Sequence, residues 1–408
     1  MKHVWIVNHY ALGPGESGGT RHFSLARQLP ANGWRATVIA ASTAHPSGRQ
    51  RLGDGETARL QTFDGVPFLW LRAREYSGNG RARVLNMLDF TRAVLRRGAA
   101  AGLEPPDAVI GSSFHPLAAW AARRLARRHG VPFLFEVRDL WPQTPIDMGR
   151  LLPRHPVAVV LRRLEKSLYR SAARIVVVPP LAADYIAPLG IARDRIVWLP
   201  NGTDAGRFPA APAQALPGRF TLMYFGAHGE ANGLDTLIDA MRIIEDSPAG
   251  SAVALRMVGE GPEKPALEAR ARGLGLKNIR FEDAVPKERI PAVAAEADAF
   301  VICVRNMPGL YRFGISMNKI FDYLAATRPT IIGVDAANNP VAEAQAGLTV
   351  PPENPQALAD AILRMAALPP GERVRMGTAG RRYLEANHDF GLLSARLASA
   401  LDASLLEA

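Results

Sequence analysis

The most specific chemical pattern lies in the stretch "GISMNKIFDYLAATRPTIIG", which begins at Gly314. Gly314 and Ser316 precede a predicted helix, and the exposed backbone N–H groups and dipole of a helix N-terminus can hold a diphosphate. Lys319 adds a positive charge there, and Asp322 lies one turn after Asn318, where its carboxylate can accept hydrogen bonds from a ribose diol. A capped helix with a surface lysine and aspartate has the same spacing, so both interpretations stay open.

A pair of glycines, Gly18 and Gly19, lies in "SGGTRHFSLARQL", where a first predicted strand passes to a helix. The stretch matches neither G-x-G-x-x-G nor a P-loop, which ends in Lys-Ser or Lys-Thr. Glycines at such a turn let the backbone approach a phosphate or a sugar, because no Cβ stands in the way. A flexible turn before a helix is the alternative interpretation.

Four polar residues of the first half of the chain lie at, or just after, the carboxyl ends of predicted strands, where ligands of parallel sheets bind. They are His115 in "GSSFHPLAA", Arg138 and Asp139 in "FEVRDLWPQ", and Asn201 in "PNGTD". The positions of all four fit contact with a bound molecule. The alternatives are a helix cap for His115, a buried ion pair for Arg138 and Asp139, and a turn for Asn201. Because no second histidine or carboxylate has a suitable spacing beside His115, no metal site is predicted.

The elements that position these residues are short β-branched runs alternating with helical patterns, which predict an α/β fold with parallel sheets. Strands are predicted at 3–9, 35–41, 67–73, 107–113, 132–139, 174–179, 195–201, 219–227, 253–261, 279–283, 299–304 and 329–334. Alanine-rich helices are predicted from the last strand to the end of the chain.

Two Rossmann-like, doubly wound domains facing a central cleft are expected, because 408 residues exceed one ordinary core and ligands bind beyond the carboxyl ends of such strands. The predicted boundaries are 1–203 for the N-terminal domain, 204–218 for a linker rich in Pro, Ala and Gly, 219–385 for the C-terminal domain, and 386–408 for a final helix, a candidate to cross back to the N-terminal domain.

Composition narrows the class of protein. The single cysteine, Cys303, excludes a disulfide framework and favours a reducing cytosol, and no apolar run approaches the ~18 residues of a membrane span. Residues 1–200 have 28 Lys and Arg against 14 Asp and Glu, whereas the remainder has 21 against 24. The basic half fits nucleic acid, an anionic membrane surface or a phosphorylated substrate, and the absence of zinc-finger or RNA-recognition signatures disfavours the first.

The run "YLAATRPTI" resembles the stretch that ends the Glu-x7-Glu motif of retaining glycosyltransferases of family four, which have the GT-B fold. On that motif the second acid falls on Asp322 and the first on Gly314, which has no side chain to contact a donor sugar. The form "GISMNKIFDYLAA" is closer to a branch that builds O-antigen and capsule polysaccharides. Five further stretches resemble that branch in the same order, namely "YSGNGRARVLNMLDF", "EVRDLWPQ", "PNGTD", "GLDTLIDAM" and "VGEGPEKPALE".

The resemblance implies an enzyme that moves an N-acetylamino or deoxy-amino sugar from a nucleotide-sugar, with UDP as the expected nucleotide, to a glycan or polyprenyl-diphosphate-linked acceptor. It implies retention of configuration, no metal and no cofactor, since the nucleotide-sugar is a substrate. The catalytic roles fall on Lys319, at the leaving diphosphate, and His115, at the transferring sugar.

The same resemblance assigns further contacts with the donor. Gly18 and Gly19 would face the diphosphate, Glu260 in the turn "VGEGPE" would line the nucleotide pocket, and the backbone near Val285 would meet the base. A solvated turn remains the alternative for Glu260 and Glu263. Arg138, Asp139 and Asn201 are candidates for contact with acceptor or donor.

The helix "VAVVLRRLEKSLYRSAA" has an apolar side and a basic side, the latter with Arg162, Arg163, Lys166 and Arg170. A lipid-linked acceptor would bring it to an anionic leaflet, where each surface Lys or Arg contributes roughly 1 kcal/mol. Peripheral attachment to the inner face of the cytoplasmic membrane is therefore one expectation, and a solvated helix packed on its domain is the other.

Two other function classes stay open. A nucleotide-sugar epimerase of the same fold would turn over the donor with no acceptor present. A nucleic-acid-binding protein would use the basic half of the chain, and its affinity would fall steeply with salt.

Overall fold

A computed structural model describes residues 1–16, 18–45, 47–78, 80–97, 102–209, 219–248 and 250–406. The chain divides into unit 1, which comprises Met1–Asn201 with Phe390–Ala408, and unit 2, which comprises Gly202–Asp389. Of the predicted linker 204–218, residues 210–218 lie outside the described part of the chain.

Unit 1 is built on the strands β1 Lys2–Val7, β2 Trp34–Ala41, β3 Ala58–Phe63, β4 Val66–Leu71, β5 Ala108–Ser112, β6 Phe133–Val137, β7 Arg174–Val177 and β8 Ile196–Trp198. They form one sheet in the order β3-β4-β2-β1-β5-β6-β7-β8. Neighbouring strands are parallel except in the edge hairpin of β3 and β4. The strand order reverses between β1 and β5, which makes their carboxyl ends the switch point where doubly wound sheets bind ligands.

The helices of unit 1 are α1 Arg21–Gln28, α2 Arg81–Arg97, α3 Pro116–His129, α4 Gln143–Asp147, α5 Pro156–Ser171, α6 Ala182–Ile186 and, in chain order after those of unit 2, α15 Phe390–Leu405. The sequence of helix α3 shows why the helix begins and ends where it does. Pro116 begins it, basic residues occupy its last turn, and Gly130 ends it with a left-handed φ of 66°.

The last helix of the chain completes the core of unit 1. Leu393, Leu397 and Leu401 recur every four residues on one face of α15, and each is at most 3% exposed. They join a cluster with apolar side chains of β1, β2, β4 and α1. Because one face of the central sheet is covered by α1 and α15 together, the core of unit 1 depends on residues from both ends of the chain.

Unit 2 is built on the strands β9 Phe220–Phe225, β10 Val253–Val258, β11 Ile279–Glu282, β12 Ala299–Cys303, β13 Thr330–Gly333 and β14 Gly347–Val350. Their order is β11-β10-β9-β12-β13-β14, and all pairs are parallel. The switch point lies between β9 and β12. The carboxyl ends of these two strands are therefore the place to examine for a ligand site.

The helices of unit 2 are α7 Leu234–Glu245, α8 Lys264–Gly273, α9 Ile290–Ala294, α10 Pro308–Tyr311, α11 Asn318–Ala325, α12 Pro340–Glu343, α13 Pro355–Ala367 and α14 Pro370–Asn387. They cover both faces of the sheet. Met223 and Phe225 of β9 enter one core cluster, whereas Leu222 and Tyr224 enter the other. This alternation follows from the period of two along a strand and explains why β9 has buried apolar or aromatic side chains at every position from 222 to 225.

The predicted α/β class with two parallel-sheet domains is confirmed. The sequence prediction missed two strands, β3 and β14, and both lie at the edges of their sheets. Side chains of β3 are exposed or half-buried, and β14 has only four residues. Edge strands with little burial lack the apolar run that identifies a central parallel strand.

Candidate active site

The loops that follow β9 and β10 pack backbone against backbone at the carboxyl edge of unit 2. The N–H of Gly226 donates to the Val258 carbonyl at 3.0 Å. A Cβ added to Gly259, whose φ is +151°, would stand 2.0 Å from the Gly226 carbonyl oxygen. Glycine is therefore required at 259, and this close approach holds the loop after β9 in place.

Lys319 lies beside this loop with its ammonium held by two oxygens. Its Nζ donates to Tyr224 Oη and Asn232 Oδ1, both at 2.6 Å. The Tyr224 hydroxyl can accept because its own proton goes to the Ala227 carbonyl at 2.6 Å. Neither partner of Lys319 carries a formal charge, and burial lowers the pKa of the lysine to about 7. The site is therefore suited to an anion, whose charge would stabilise the protonated amine.

Helix α11 begins at Asn318, next to this lysine. Its N-cap, Met317, makes no side-chain hydrogen bond among the described contacts, and the N–H of Ile320 donates to the Met317 carbonyl at 3.1 Å. The helix dipole and the N–H groups of Asn318 and Lys319 can therefore act on a ligand. Gly314, four residues before the helix, has a left-handed φ of 94° and donates its N–H to the Tyr311 carbonyl. Ser316 is half-buried between them. The predicted Gly314–Asp322 group thus gathers at one helix end.

Asp322 lies one turn into α11 from Asn318 and is half-buried. Its Oδ1 accepts a hydrogen bond from the buried Thr203 hydroxyl at 2.7 Å. Lys287 is close enough for its charge to interact with Asp322, although burial is the larger effect and lowers the pKa of that lysine. A diol that binds Asp322 through this oxygen has to displace or share the Thr203 hydroxyl.

Glu260 lies in the turn after β10, with its side chain 56% exposed. It is paired with Lys264 Nζ at 2.7 Å, and the same ammonium reaches Asp283 Oδ1 at 3.1 Å. Val285 is half-buried and packs against the core of unit 2. The carboxylate of Glu260 therefore has a cationic partner already, and its contact with a donor stays a prediction, as does that of the Val285 backbone.

His115 is buried in unit 1 at the switch point, where it belongs to a chain of hydrogen bonds. Its Nδ1 accepts from the Ala118 N–H at 3.3 Å, so its Nε2 carries the proton and donates to His9 Nδ1 at 2.6 Å. His9 Nε2 then donates to Asn86 Oδ1 at 2.7 Å, and the Asn86 amide donates to Thr43 Oγ1 at 3.1 Å. The contacts thereby fix the tautomer of both rings.

The imidazole rings of His9 and His115 are both neutral at physiological pH. Burial, with a smaller effect from Arg83, lowers the pKa of His115 to about 3, and burial followed by the charge of His115 holds the pKa of His9 well below its usual range. Both nitrogens of His115 are already used. Its hydrogen bond to a transferring sugar stays a prediction and requires one nitrogen to change partner.

A buried ionic network that the sequence analysis did not find lies at the start of α1. Arg21 Nε donates to Glu136 Oε1 at 2.9 Å, and Nη2 donates to the Leu199 carbonyl at 2.8 Å. His22 Nε2 donates to Glu136 Oε2 at 2.6 Å and accepts at Nδ1 from the Asn8 amide at 2.8 Å. The sequence feature that could have indicated this network is Glu136, a charged residue in the otherwise apolar run "PFLFEV".

Glu136 is the anion of this network. Burial alone would raise the pKa of its carboxyl, but the adjacent His22 and Arg21 outweigh burial and hold that pKa well below its usual range. Through these bonds the start of α1 is tied to β6 and to the segment after β8. The network therefore fixes the position of the preceding glycine pair.

Gly18 and Gly19 lie just before α1, the first exposed and the second half-buried. Gly18 has a φ of +134°, and a Cβ there would stand 2.7 Å from Leu12 Cδ1. The positive φ disfavours any other residue. Glycine is thus needed for the shape of this turn, and contact with a phosphate or sugar stays a prediction.

Arg138 and Asp139 follow β6 and are half-buried. The Arg138 guanidinium lies 4.4 Å from the centroid of the Phe114 ring, and burial raises the pKa of the Asp139 carboxyl. Asn201 is buried, and its Oδ1 accepts from Arg21 at 3.5 Å. Asn201 therefore belongs to the network around Arg21, while Arg138 has its planar face against an aromatic ring.

Charge at the site in unit 2 comes from Lys319 and the helix end. Across the described ranges, no group of three or more His, Cys, Asp and Glu side chains is arranged to hold a metal ion. Cys303, at the end of β12, is buried, and burial raises the pKa of its thiol to about 12. A neutral thiol at this position adds no charge beside the lysine.

Two sequence models match, one on each unit. The model described as "Glycosyl transferase 4-like domain" matches residues 18–202, and the one described as "Glycosyl transferases group 1" matches residues 219–367. Together they span most of the 408 residues.

Individual relatives agree with these matches. A protein of Escherichia coli (strain K12) named as a colanic acid biosynthesis glycosyl transferase is 23% identical over 90% of this chain and 91% of its own. A GDP-mannose-dependent alpha-(1-6)-phosphatidylinositol monomannoside mannosyltransferase of Mycobacterium tuberculosis is 30% identical over 50% of this chain and 55% of its own.

The fold also matches that of a solved structure. Sucrose-phosphate synthase from Thermosynechococcus elongatus superimposes with a TM-score of 0.73 at 18% identity, covering 98% of both chains. At that identity the likeness concerns the fold. With both sequence models matched in order on two parallel-sheet units, the chain belongs to the group 1 glycosyltransferases of the GT-B fold.

Proposed function

We propose that this protein transfers a sugar from a nucleotide-sugar to a glycan or lipid-linked acceptor in the synthesis of a cell-surface polysaccharide. The observation that carries the proposal is Lys319, held by two neutral oxygens beside the N-terminus of α11. Such a group can meet the negative charge that develops on a departing diphosphate. The similarity to the colanic acid biosynthesis relative, which extends over nearly the whole chain, supports the class of product.

The proposed reaction breaks the bond between the anomeric carbon and a diphosphate oxygen. It forms a bond from that carbon to the acceptor hydroxyl oxygen on the same face of the sugar, so configuration is retained. The hydroxyl proton passes to the departing phosphate. No carboxylate of the chain needs to act as a nucleophile, in contrast to retaining glycoside hydrolases, and no metal is required in this scheme.

Residues of unit 2 would bind the nucleotide in this scheme. Gly314, Ser316 and the first turn of α11 would hold the diphosphate together with Lys319. Asn318 and Asp322 would bind the ribose, with Asp322 exchanging its bond from Thr203 for one from the diol. In unit 1, His115 would bind the transferring sugar after giving up one present hydrogen bond.

The donor we propose is a UDP-linked N-acetylamino or deoxy-amino sugar, on the resemblance of "GISMNKIFDYLAA" to O-antigen and capsule enzymes. The mannosyltransferase relative is named as GDP-mannose-dependent, which makes GDP-mannose the comparison donor. A lipid-linked acceptor would bring the protein to a membrane surface. We propose peripheral attachment there, through the basic side of α5. No helix within the described ranges is long and apolar enough to span a bilayer.

The test is a thermal-shift panel of UDP-, GDP- and ADP-sugars followed by a transfer assay. A bound donor raises the apparent melting temperature, because it binds the native state. We expect stabilisation by a UDP-sugar, its loss in Lys319→Met, and its retention in Lys277→Met, which removes an exposed lysine of the same unit.

Two controls separate the proposal from its competitors. Transfer should persist in EDTA, and a strict requirement for Mn²⁺ would count against the mechanism. Turnover of the donor without acceptor would instead indicate an epimerase. Stabilisation by GDP-mannose alone would replace UDP by GDP as the nucleotide.

A further inference from the structure

A second cationic site lies in unit 1, in a groove between α3 and α5. The groove has a volume of about 430 Å³. Five basic side chains line it, namely Arg123, Arg127, Arg163, Lys166 and Arg170. Four of the five are arginines, whose planar fork matches the oxygens of a phosphoryl group.

Arg123 is the buried member of this group, with 8% of its surface exposed. Its Nη1 donates to Ser167 Oγ at 2.7 Å and to the Ser167 carbonyl at 3.3 Å. Its Nε is buried and has no hydrogen-bond partner in the part of the chain that the structure describes. A buried guanidinium N–H without an acceptor is costly, so Arg123 contributes its charge to the wall of the groove at a cost in stability.

The charge of the groove is not balanced by neighbouring carboxylates. No ion pair is recorded for its five cations across the described ranges. The one acidic residue inside α5, Glu165, is buried and accepts from Tyr169 and Tyr185 instead. Burial, and then the charges of Arg127 and Arg124, lower the pKa of Arg123, as expected where positive charges meet without a counter-ion.

Helix spacing brings these groups to one groove. Arg123 and Arg127 are four residues apart on α3, and Arg163, Lys166 and Arg170 recur at three and four residues on α5, so each set shares a face. Ser167 accepts from Arg123, which leaves its hydroxyl proton free to donate. The groove therefore offers charge from both walls and a hydroxyl donor.

We propose that this groove is a binding site for a phosphoryl group, either phosphate or diphosphate. The bound oxyanion would be paired with Arg127, Arg163, Lys166 and Arg170, beside the buried charge of Arg123. Its source is either a phosphate compound in solution or the headgroup of an anionic lipid. The proposal does not depend on the transfer reaction, because the site lies in unit 1 and uses none of the residues placed around Lys319.

The test measures binding of inorganic diphosphate to the full chain by isothermal titration calorimetry. The measurement uses the Lys319→Met variant, which lacks the other proposed diphosphate site. Any diphosphate binding that remains can then be assigned to the groove, whether or not the proposed donor site exists. We expect Arg127→Gln with Arg170→Gln to weaken binding by about tenfold or more. Both positions are exposed, so these variants should fold even if Arg123→Gln does not.

The matched control is Arg124→Gln with Arg128→Gln, the same change of charge on α3 at exposed positions that do not line the groove. It should retain affinity within a factor of about two, since only long-range charge is lost. Equal affinity in both double variants, or no binding in the Lys319→Met variant, would overturn the proposal.

Vesicles identify the source of the phosphoryl group. If phosphatidylglycerol vesicles bind, phosphatidylcholine vesicles do not, and both the groove variant and free diphosphate abolish binding, the ligand is a lipid headgroup. If vesicle binding is unchanged by the groove variant while diphosphate binding is lost, the ligand is a phosphate compound in solution. If neither depends on the groove, the site does not exist.

Discussion

At the scale of single residues, Lys319 makes donor binding depend on protonation. With a pKa of about 7, the free side chain is mostly neutral at pH 8. A bound diphosphate favours the charged form, so binding of UDP-N-acetylglucosamine at pH 8 should take up close to one proton. Titration calorimetry in buffers of different ionisation enthalpy measures this number. Uptake should vanish in Lys319→Met and persist in Lys277→Met, and a heat independent of buffer in the unaltered protein would contradict it.

Replacement of His115 should affect both the stability of the fold and turnover, and the two effects have to be measured separately. Its removal leaves His9 Nδ1 buried without a donor, so His115→Ala should lower the free energy of unfolding by about 1–3 kcal/mol as well as turnover. Asn86→Ala breaks the same chain of hydrogen bonds at its other end. If both variants lose stability but only His115→Ala loses turnover in the folded fraction, His115 contacts the sugar. Equal losses of turnover would assign it a structural role only.

At the scale of elements, Glu165 couples the packing of α5 and α6 to pH. Tyr169 and Tyr185 donate to its carboxyl at 2.8 and 3.0 Å, and burial raises its pKa to about 8. A raised pKa means that the protonated form stabilises the fold. This stability is complete below the unfolded-state pKa near 4.3 and is lost as pH rises towards 8, by up to about 1.4 kcal/mol per pH unit.

Glu165→Gln keeps a neutral hydrogen-bonding group in the same space. It should therefore be more stable than the unaltered protein at pH 8 and close to it at pH 5. Urea denaturation across this range measures the difference. Glu104→Gln, at an exposed carboxylate of the same unit, should not show it. A constant difference between pH 5 and 8 would contradict the assignment.

The loops after β9 and β10 are elements that tolerate almost no added volume. Gly259→Ala would place a Cβ 2.0 Å from the Gly226 carbonyl at a φ of +151°. It should lower the free energy of unfolding of unit 2 by roughly 2 kcal/mol or more and weaken donor binding, because the loop beside Lys319 must move. Gly273→Ala, where nothing lies within 4 Å, is the control. Unchanged thermal stability in Gly259→Ala would contradict this account.

At the scale of the whole molecule, the end of the chain is part of the first unit. Phe390, Leu393, Leu397 and Leu401 of α15 are buried in its core, and each contributes about 1.5–3 kcal/mol. Their sum is comparable with the total stability of a domain, about 5–15 kcal/mol. Deletion of 390–408 should therefore unfold unit 1 while the strands of unit 2 stay protected.

Hydrogen exchange resolved by peptide measures that outcome. Amides of α1 and β2 should lose protection in the deletion variant, whereas those of β9 and β12 should keep it. Removal of residues 406–408 alone, beyond the last helix, should change neither. Retained protection of α1 in the longer deletion would show that the core of unit 1 does not need α15.

The sequence by itself determined the α/β class, the two parallel sheets and the grouping of Gly314, Lys319 and Asp322 at a helix start, because these follow from local periodicity and spacing within one segment. Only the tertiary structure decided which groups each side chain meets. Tyr224 and Asn232 at Lys319, His9 at His115, Asn86 at His9, and Glu136 at Arg21 come from segments 77 to 115 residues away. Contacts between residues so far apart in the sequence produce no local spacing pattern from which they could be predicted. The order of the strands in the sheet determines which of these residues come together.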